Sequence, residues 1–347
     1  MMRSRLSDAA FRTLRAVNAL MSGTLSMRVM RDANLYPWQR NPLSASVQGR
    51  RELPVGSNAY LQRDNPRLID LIERYRRADP RVTSSVFWTA DTVGDTDLTY
   101  FRGHNSYTDQ LSGLHANELT YALTYYALKS SSAADLLAMF EEDGAFGVNS
   151  FVIDERPVSR DILDSAREVE FIRTNVGWDA QPLTMVDIGA GYGRLVHRLA
   201  QAGGSRVTAT GTDGYAPSTF IAEHYLNFRS LSNTGVVALD EFESWLAEHR
   251  PRLATNIHSF SEVAPTAIDW WVERLARHRV EYLMIVPNLS DPATGAALTN
   301  GRDDIDEIVA RHGYRLVVRE PHHADPTVLK YAVDSSVLSL FRLADAG

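Results

Sequence analysis

The chain has no cysteine, and its only lysines are Lys129 and Lys330, against abundant arginine. Without cysteine there are no disulfides, no thiolate metal ligands and no cysteine nucleophile, and a cytoplasmic setting fits. The scarcity of lysine reads as the codon bias of a high-GC genome rather than as function. Long apolar runs are missing too, so no transmembrane segment is expected. Nor is positive charge in excess: the formal net charge is −7 over 347 residues, whereas holding phosphates calls for a basic domain or stripe. A nucleic-acid partner is therefore not expected, and a small-molecule substrate is.

What is present is globular. Hydrophobic residues make up 44% and charged residues 23%, ordinary values for a folded protein, and the length allows one large domain plus a smaller one. Residues 3–21 place Leu6, Ala10, Phe11, Leu14, Val17 and Met21 at helical spacing with arginines between them. A basic amphipathic helix of this kind is expected to pack on its own protein or on a second subunit of a homodimer, with a membrane surface as the alternative.

The rest is organised around residues 185–200, MVDIGAGYGRLVHRLA. An apolar run ends in Asp187; Gly189, Gly191 and Gly193 alternate with Ala190 and Tyr192; Arg194 then opens a helical pattern through Leu195, Val196 and Leu199. This is a strand, a tight turn and a helix, with glycine where the backbone turns sharply and a ligand lies against it. A dinucleotide-type GxGxxG would need glycine in place of Arg194. Asp-x-Gly-x-Gly-x-Gly instead resembles the first motif of class I S-adenosylmethionine-dependent methyltransferases.

Before Pro182 the pattern is mainly helical, with helices expected within 118–140 and another after Ser159 that closes at Gly177. Ser132 is the expected N-cap of a helix over 133–140. After Pro182, strands are expected over 183–188, 207–211, 236–239, 253–257, 282–286, 316–319 and 337–343, with helices between most of them and an antiparallel pair last. The expected architecture is a Rossmann-like, doubly wound α/β sheet over 181–347 behind a helical substrate or dimerisation region over 1–180. Seven strands ending this way are what the methyltransferase resemblance implies.

Ligands of such sheets sit beyond the carboxyl ends of the strands, so the residues there are the candidates. Asp187 and the loop Gly189, Ala190, Gly191, Tyr192, Gly193 and Arg194 are assigned to the cofactor, with Tyr192 and Arg194 near its methionine end. Asp213, in TGTDGYAP, stands where a carboxylate accepts from both ribose hydroxyls; the alternative is an N-cap ahead of Pro217. Asp240 is assigned to the adenine amine, the alternative being a place in the negative first turn of a helix. In NIHSFSE, His258 is the candidate base and Glu262 orients it, binds a second hydroxyl or caps a helix. A hydroxyl is a poor nucleophile until its proton is being removed, and imidazole is suited to remove it. The aromatic, polar stretch 84–110 offers His104, Asn105 and Tyr107 to a sugar, or else packing anchors.

The combination of DIGAGYGR, VSRDILDSAREVEFI ahead of it, and NIHSFSEV followed by Trp270 and Trp271 resembles the bacterial sugar O-methyltransferase family from about Tyr100 onward. Members of that family commonly have methionine where this chain has Val263. The resemblance implies methylation of a hydroxyl on a saccharide, polysaccharide precursor or glycosylated metabolite. The alternatives are O- or N-methylation of another small metabolite, and a non-catalytic adenosyl-binding relative of the fold. For a divalent metal such as magnesium, which would act as a Lewis acid on neighbouring hydroxyls, Glu262, Asn288, Asp291 and Asp325 are the oxygen donors, and no spacing fixes a site. His322 and His323 beside Asp325 read as solvated or substrate-facing.

Overall fold

Proline at the first helical position loses no hydrogen bond, because that amide is unpaired in any helix. Pro66 uses this to start α1 (Pro66–Arg76), with the Asn65 side chain accepting from Arg67 N. A computed structural model of the chain describes residues 46–48, 53–84, 98–103 and 118–344. These all belong to one unit, Ser46–Gly347. The expected basic helix over 3–21 and the candidates His104, Asn105 and Tyr107 lie outside the described residues.

The expected helices follow as α2 (Glu118–Lys129) and α3 (Ala134–Met139). Ser132 does not cap α3: its hydroxyl donates to Glu170 Oε1 at 2.6 Å, and Ser131 Oγ accepts from Ala133 N instead. An unanticipated antiparallel sheet then forms from β1 (Ser46–Gln48), β2 (Asn149–Ile153) and β3 (Arg156–Ser159). The turn between β2 and β3 holds Asp154 and Glu155 at φ 49° and 64°, the left-handed pair that a two-residue hairpin requires, without the glycine or asparagine that would announce it. Ser159 caps α4 (Arg160–Asn175) by accepting from Ile162 N, and Gly177 closes it at φ 65° with its amide on Ile172 O. Besides its apolar face, α4 buries Asp161, Asp164, Glu168 and Glu170.

All seven strands expected after Pro182 are present, the third of them displaced. They begin with β4 (Leu183–Ile188), β5 (Val207–Thr212), β6 (Thr234–Val236), β7 (Leu253–His258) and β8 (Tyr282–Pro287). A small hairpin follows, β9 (Leu289–Ser290) with β10 (Ala297–Leu298), and then β11 (Tyr314–Pro321) and β12 (Val337–Leu343). The seven-stranded sheet has the order β11-β12-β8-β7-β4-β5-β6. Its strands are parallel except β12, which runs antiparallel to both neighbours. In β8, Leu283 to Val286 are all fully buried, the continuous apolar run of a strand covered on both faces.

Between the strands lie α5 (Arg194–Gly203), α6 (Ala216–Arg229), α7 (Phe242–His249), α8 (Pro265–Arg277), α9 (Ile305–Arg311) and the short α10 (Pro326–Tyr331). The third strand sits earlier than expected. Residues 239–241 form a 3-10 turn because Tyr75 OH on α1 accepts from Leu239 N at 3.0 Å, drawing that stretch off the sheet edge. Among the described residues, no helix is long and apolar enough to cross a membrane.

Candidate functional site

In this strand order the chain runs from β4 outward through β5 and β6, then returns to start β7 on the other side of β4. Such a reversal opens a crevice at the carboxyl ends of the two central strands. The glycine loop leaves β4 there and His258 ends β7, and a cavity of about 260 Å³ lies between them. It brings together five of the predicted site residues: Gly189, Gly191, Asp213, His258 and Glu262. Trp271 of α8, Tyr215 and Ser259 join them; each lies in a stretch the sequence singled out, the Trp-rich helix, TGTDGYAP and NIHSFSE, without being assigned to the site.

The glycines have separate reasons. At Gly189 (φ 70°) a Cβ would stand 2.0 Å from Ser259 Oγ, so glycine lets the loop after β7 come close. At Gly191 (φ 57°) a Cβ would meet no protein atom within 4 Å, so the absent side chain leaves room in the crevice itself. The turn is fixed by Gly189 N and Ala190 N donating to Thr212 O, and by Gly193 N donating to Ala190 O.

Not every loop residue faces the cavity. Tyr192 is buried beneath it and donates to Asp161 Oδ2 at 2.9 Å; that carboxylate also accepts from Arg102 and Arg198. Arg194 forms a two-pronged pair with Glu168 on α4, at 2.6 and 2.9 Å. Both side chains therefore anchor the loop to α4. Asp187 is buried under the loop and accepts from Thr255 Oγ1 on β7 at 2.6 Å. Burial pushes its carboxyl up to about 7, with the Thr255 hydroxyl pulling the other way.

Asp213 accepts from Tyr215 N at 2.9 Å and from Gly191 N at 3.1 Å, which ties the ends of β4 and β5 together at the cavity wall. Loss of water around it pushes its carboxyl up to about 6, against the pull of those amides. The cap position of α6 belongs to Tyr215. Asp240 lies elsewhere: Arg74 grips it at 2.7 and 2.8 Å, and it borders a separate cavity with Trp270 and Arg274.

His258 has φ 70°, an uncommon conformation for a residue with a side chain. Its Nδ1 contacts Asn288 Oδ1, and Asn288 Nδ2 donates to Glu262 Oε1 at 2.9 Å, so Asn288 links the candidate base to Glu262. On the other side, Nε2 stands 3.5 Å from Asp334 Oδ2. Burial works against a charged ring, and the Asp334 carboxylate more than offsets it, so the His258 pKa lies above its ordinary value. Neither Asn288 as the link nor Asp334 behind the histidine was identified from the sequence.

The other oxygen donors proposed for a metal do not gather. Asp291 caps a turn by accepting from Ala293 N and Thr294 N, and Asp325 caps α10 by accepting from Thr327 N and Val328 N. His322 and His323 are buried, not solvated.

No family model and no curated protein sequence matches the chain. Solved structures resemble part of it at low identity. A SAM-dependent methyltransferase from Aquifex aeolicus is 16% identical, with a TM-score of 0.38, over 50% of this chain and 88% of that one. The cyclase SpnF is 16% identical, with a TM-score of 0.39, over 65% and 94%. Magnesium protoporphyrin IX methyltransferase from Synechocystis PCC 6803, with bound SAM, is 15% identical, with a TM-score of 0.35, over 62% and 93%.

Proposed function

We propose that the chain transfers a methyl group from S-adenosylmethionine to a hydroxyl of a saccharide or glycosylated small molecule. The observation that carries this reading is one cavity at the reversal point of the sheet that has a side-chain-free loop, a carboxylate and a histidine on its walls. The residues fit an adenosyl sulfonium. Gly191 leaves open space beside the backbone, and Asp213 lacks a cation in hydrogen-bond contact while keeping lone pairs for ribose hydroxyls. When bound, the cofactor supplies the electrophilic methyl group and its positive charge.

The chain must align the acceptor and take its proton. Asn288 is exposed, and in this reading the acceptor hydroxyl displaces it from His258 Nδ1. Asp334 stays beside Nε2 and stabilises the imidazolium as it forms, while Glu262 holds Asn288 aside or takes a second hydroxyl. His104, Asn105 and Tyr107 are proposed to bind the sugar.

The test is calorimetric titration with S-adenosylhomocysteine. The wild-type chain is expected to bind it, and Gly191→Val, which fills the open space, to lose binding while remaining folded by circular dichroism. No binding by the wild-type chain would falsify the reading. With saccharide acceptors, His258→Ala is expected to keep S-adenosylhomocysteine binding and to lose about 10²- to 10⁴-fold in turnover. Turnover on small phenols or amines but on no saccharide would move the acceptor to another class.

A further inference from the structure

Behind His258, away from the cavity, three buried side chains converge, each with one atom that has no hydrogen-bond partner. Asp164 comes from α4, His322 follows β11, and Asp334 precedes β12; they are 6%, 1% and 6% exposed. Asp164 Oδ1, His322 Nε2 and Asp334 Oδ2 have no hydrogen-bond partner, and the ligand atoms these residues offer lie within 4.8 Å of one another.

The remaining polar atoms of the three residues are occupied, which fixes the side chains. Arg160 Nε donates to Asp164 Oδ2 at 2.9 Å, and Ser336 N donates to Asp334 Oδ1 at 2.7 Å. His322 is held through its backbone, its amide donating to Ser336 O and its carbonyl accepting from Arg167 Nε. His322 Nδ1 stands 3.4 Å from His323 Nε2. With His322 Nδ1 as the donor to His323, the lone pair of His322 lies on Nε2, the tautomer a metal needs.

Leaving three buried polar atoms without a hydrogen bond is costly, and Asp334 Oδ2 has only the long contacts to His258 Nε2 at 3.5 Å and His322 Nε2 at 4.0 Å besides Arg160. One guanidinium, Arg160, faces both carboxylates, and it lies 3.9 Å from Asp334 Oδ2. Negative charge therefore exceeds positive among these groups, with His258 the next residue that touches Asp334.

We propose that Asp164, His322 and Asp334 bind one divalent transition-metal ion. A set with an imidazole suits zinc or manganese better than magnesium, which favours oxygen ligands alone. The ion joins α4 to the last strand pair, beside the Asp334 oxygen that faces His258. The site does not depend on methyl transfer.

The test is equilibrium dialysis of the full chain, stripped with a chelator, against Zn²⁺ and separately Mn²⁺, with bound metal measured by mass spectrometry. One ion per chain is expected for wild type, with saturable binding lost in His322→Ala and in Asp334→Asn. His323→Ala, which removes only the partner of a ligand, is expected to weaken affinity by about 10- to 100-fold. His249→Ala, against Trp245 on α7, is expected to change nothing. If the variants fail to fold, Co²⁺ titration of wild type decides: saturation at one equivalent with visible ligand-field bands supports the site. Absence of saturable binding by wild type overturns it. Binding unchanged in both ligand variants overturns it as well.

Discussion

The glycine loop has two sides with opposite electrostatics. Beneath it, Asp161 is 1% exposed and accepts from Arg102, Arg198 and the Tyr192 hydroxyl. Burial alone would raise its pKa, but the two guanidiniums hold it far below the usual carboxylate range. On the cavity side, Asp213 has two backbone amides, the Ser218 hydroxyl and no guanidinium in hydrogen-bond contact, and its pKa goes up. Two carboxylates that border one loop are thus pushed in opposite directions. The first is spent on holding the loop to α4. The second keeps acceptor capacity for a ligand. Burial does not by itself mark a functional acid; what else occupies its lone pairs does.

The largest effect is expected from Asp161→Asn. Arg102 and Arg198 are 0% and 2% exposed, and removing their shared counter-charge leaves buried cations under-compensated, although Glu142 still pairs with Arg102 at 2.8 Å. Breaking a buried ion pair from one side costs about 3–5 kcal/mol, and urea denaturation should show a loss of this size. A loss below about 1 kcal/mol, the scale of an exposed pair, would break the contrast between the two sides of the loop.

Asp213→Asn tests the other side. The fold is expected to keep its stability, because no buried cation depends on this carboxylate. S-adenosylhomocysteine affinity should fall about 10- to 100-fold, the scale of losing hydrogen bonds to a charged acceptor. Calorimetry on the folded variant separates the two effects. Unchanged affinity would mean that the ribose is held elsewhere.

The parts of this contrast that are local in sequence were legible there. β4 and β12 were read to the residue because apolar runs bounded by turn signals define them, and the loop by its alternating glycines. Asp213, His258 and Glu262 were found because each stands at or just beyond an expected strand end. What was hidden depends on partners distant in sequence. The segment DILDSAREVE of α4 reads as one apolar face and one solvated face, yet Asp161 meets Arg102 from 59 residues away and Glu168 meets Arg194 from 26. Tyr192 and Arg194 were placed toward the cofactor for the same reason: a loop sequence does not say which side of the loop a side chain takes. Asp240 resembled a strand-end acid until Arg74, 166 residues away, was seen to hold it. Asp334 had no periodicity or spacing to single it out, since its meaning comes only from meeting His258, His322 and Asp164.

Asp187 sharpens the comparison with the smallest effect. It is 3% exposed, takes a hydrogen bond from Thr255 rather than from a cation, and is pushed up to about 7 by burial. Its folded pKa lies above the unfolded value of about 3.9, so between these values the folded chain binds more protons than the unfolded one, and stability must fall as pH rises. From pH 6 to pH 8 the expected loss from this group is about 1.4 kcal/mol. Buried His197 and His323, pushed down to about 3 and about 4 mainly by burial, act in the opposite direction, since their unfolded forms bind the extra proton. The difference between wild type and Asp187→Asn removes them: across this range the stability of wild type relative to the variant should fall by that amount. If the difference stays flat, Asp187 is already ionised at pH 6, and the root of the loop belongs with the charged side rather than with Asp213.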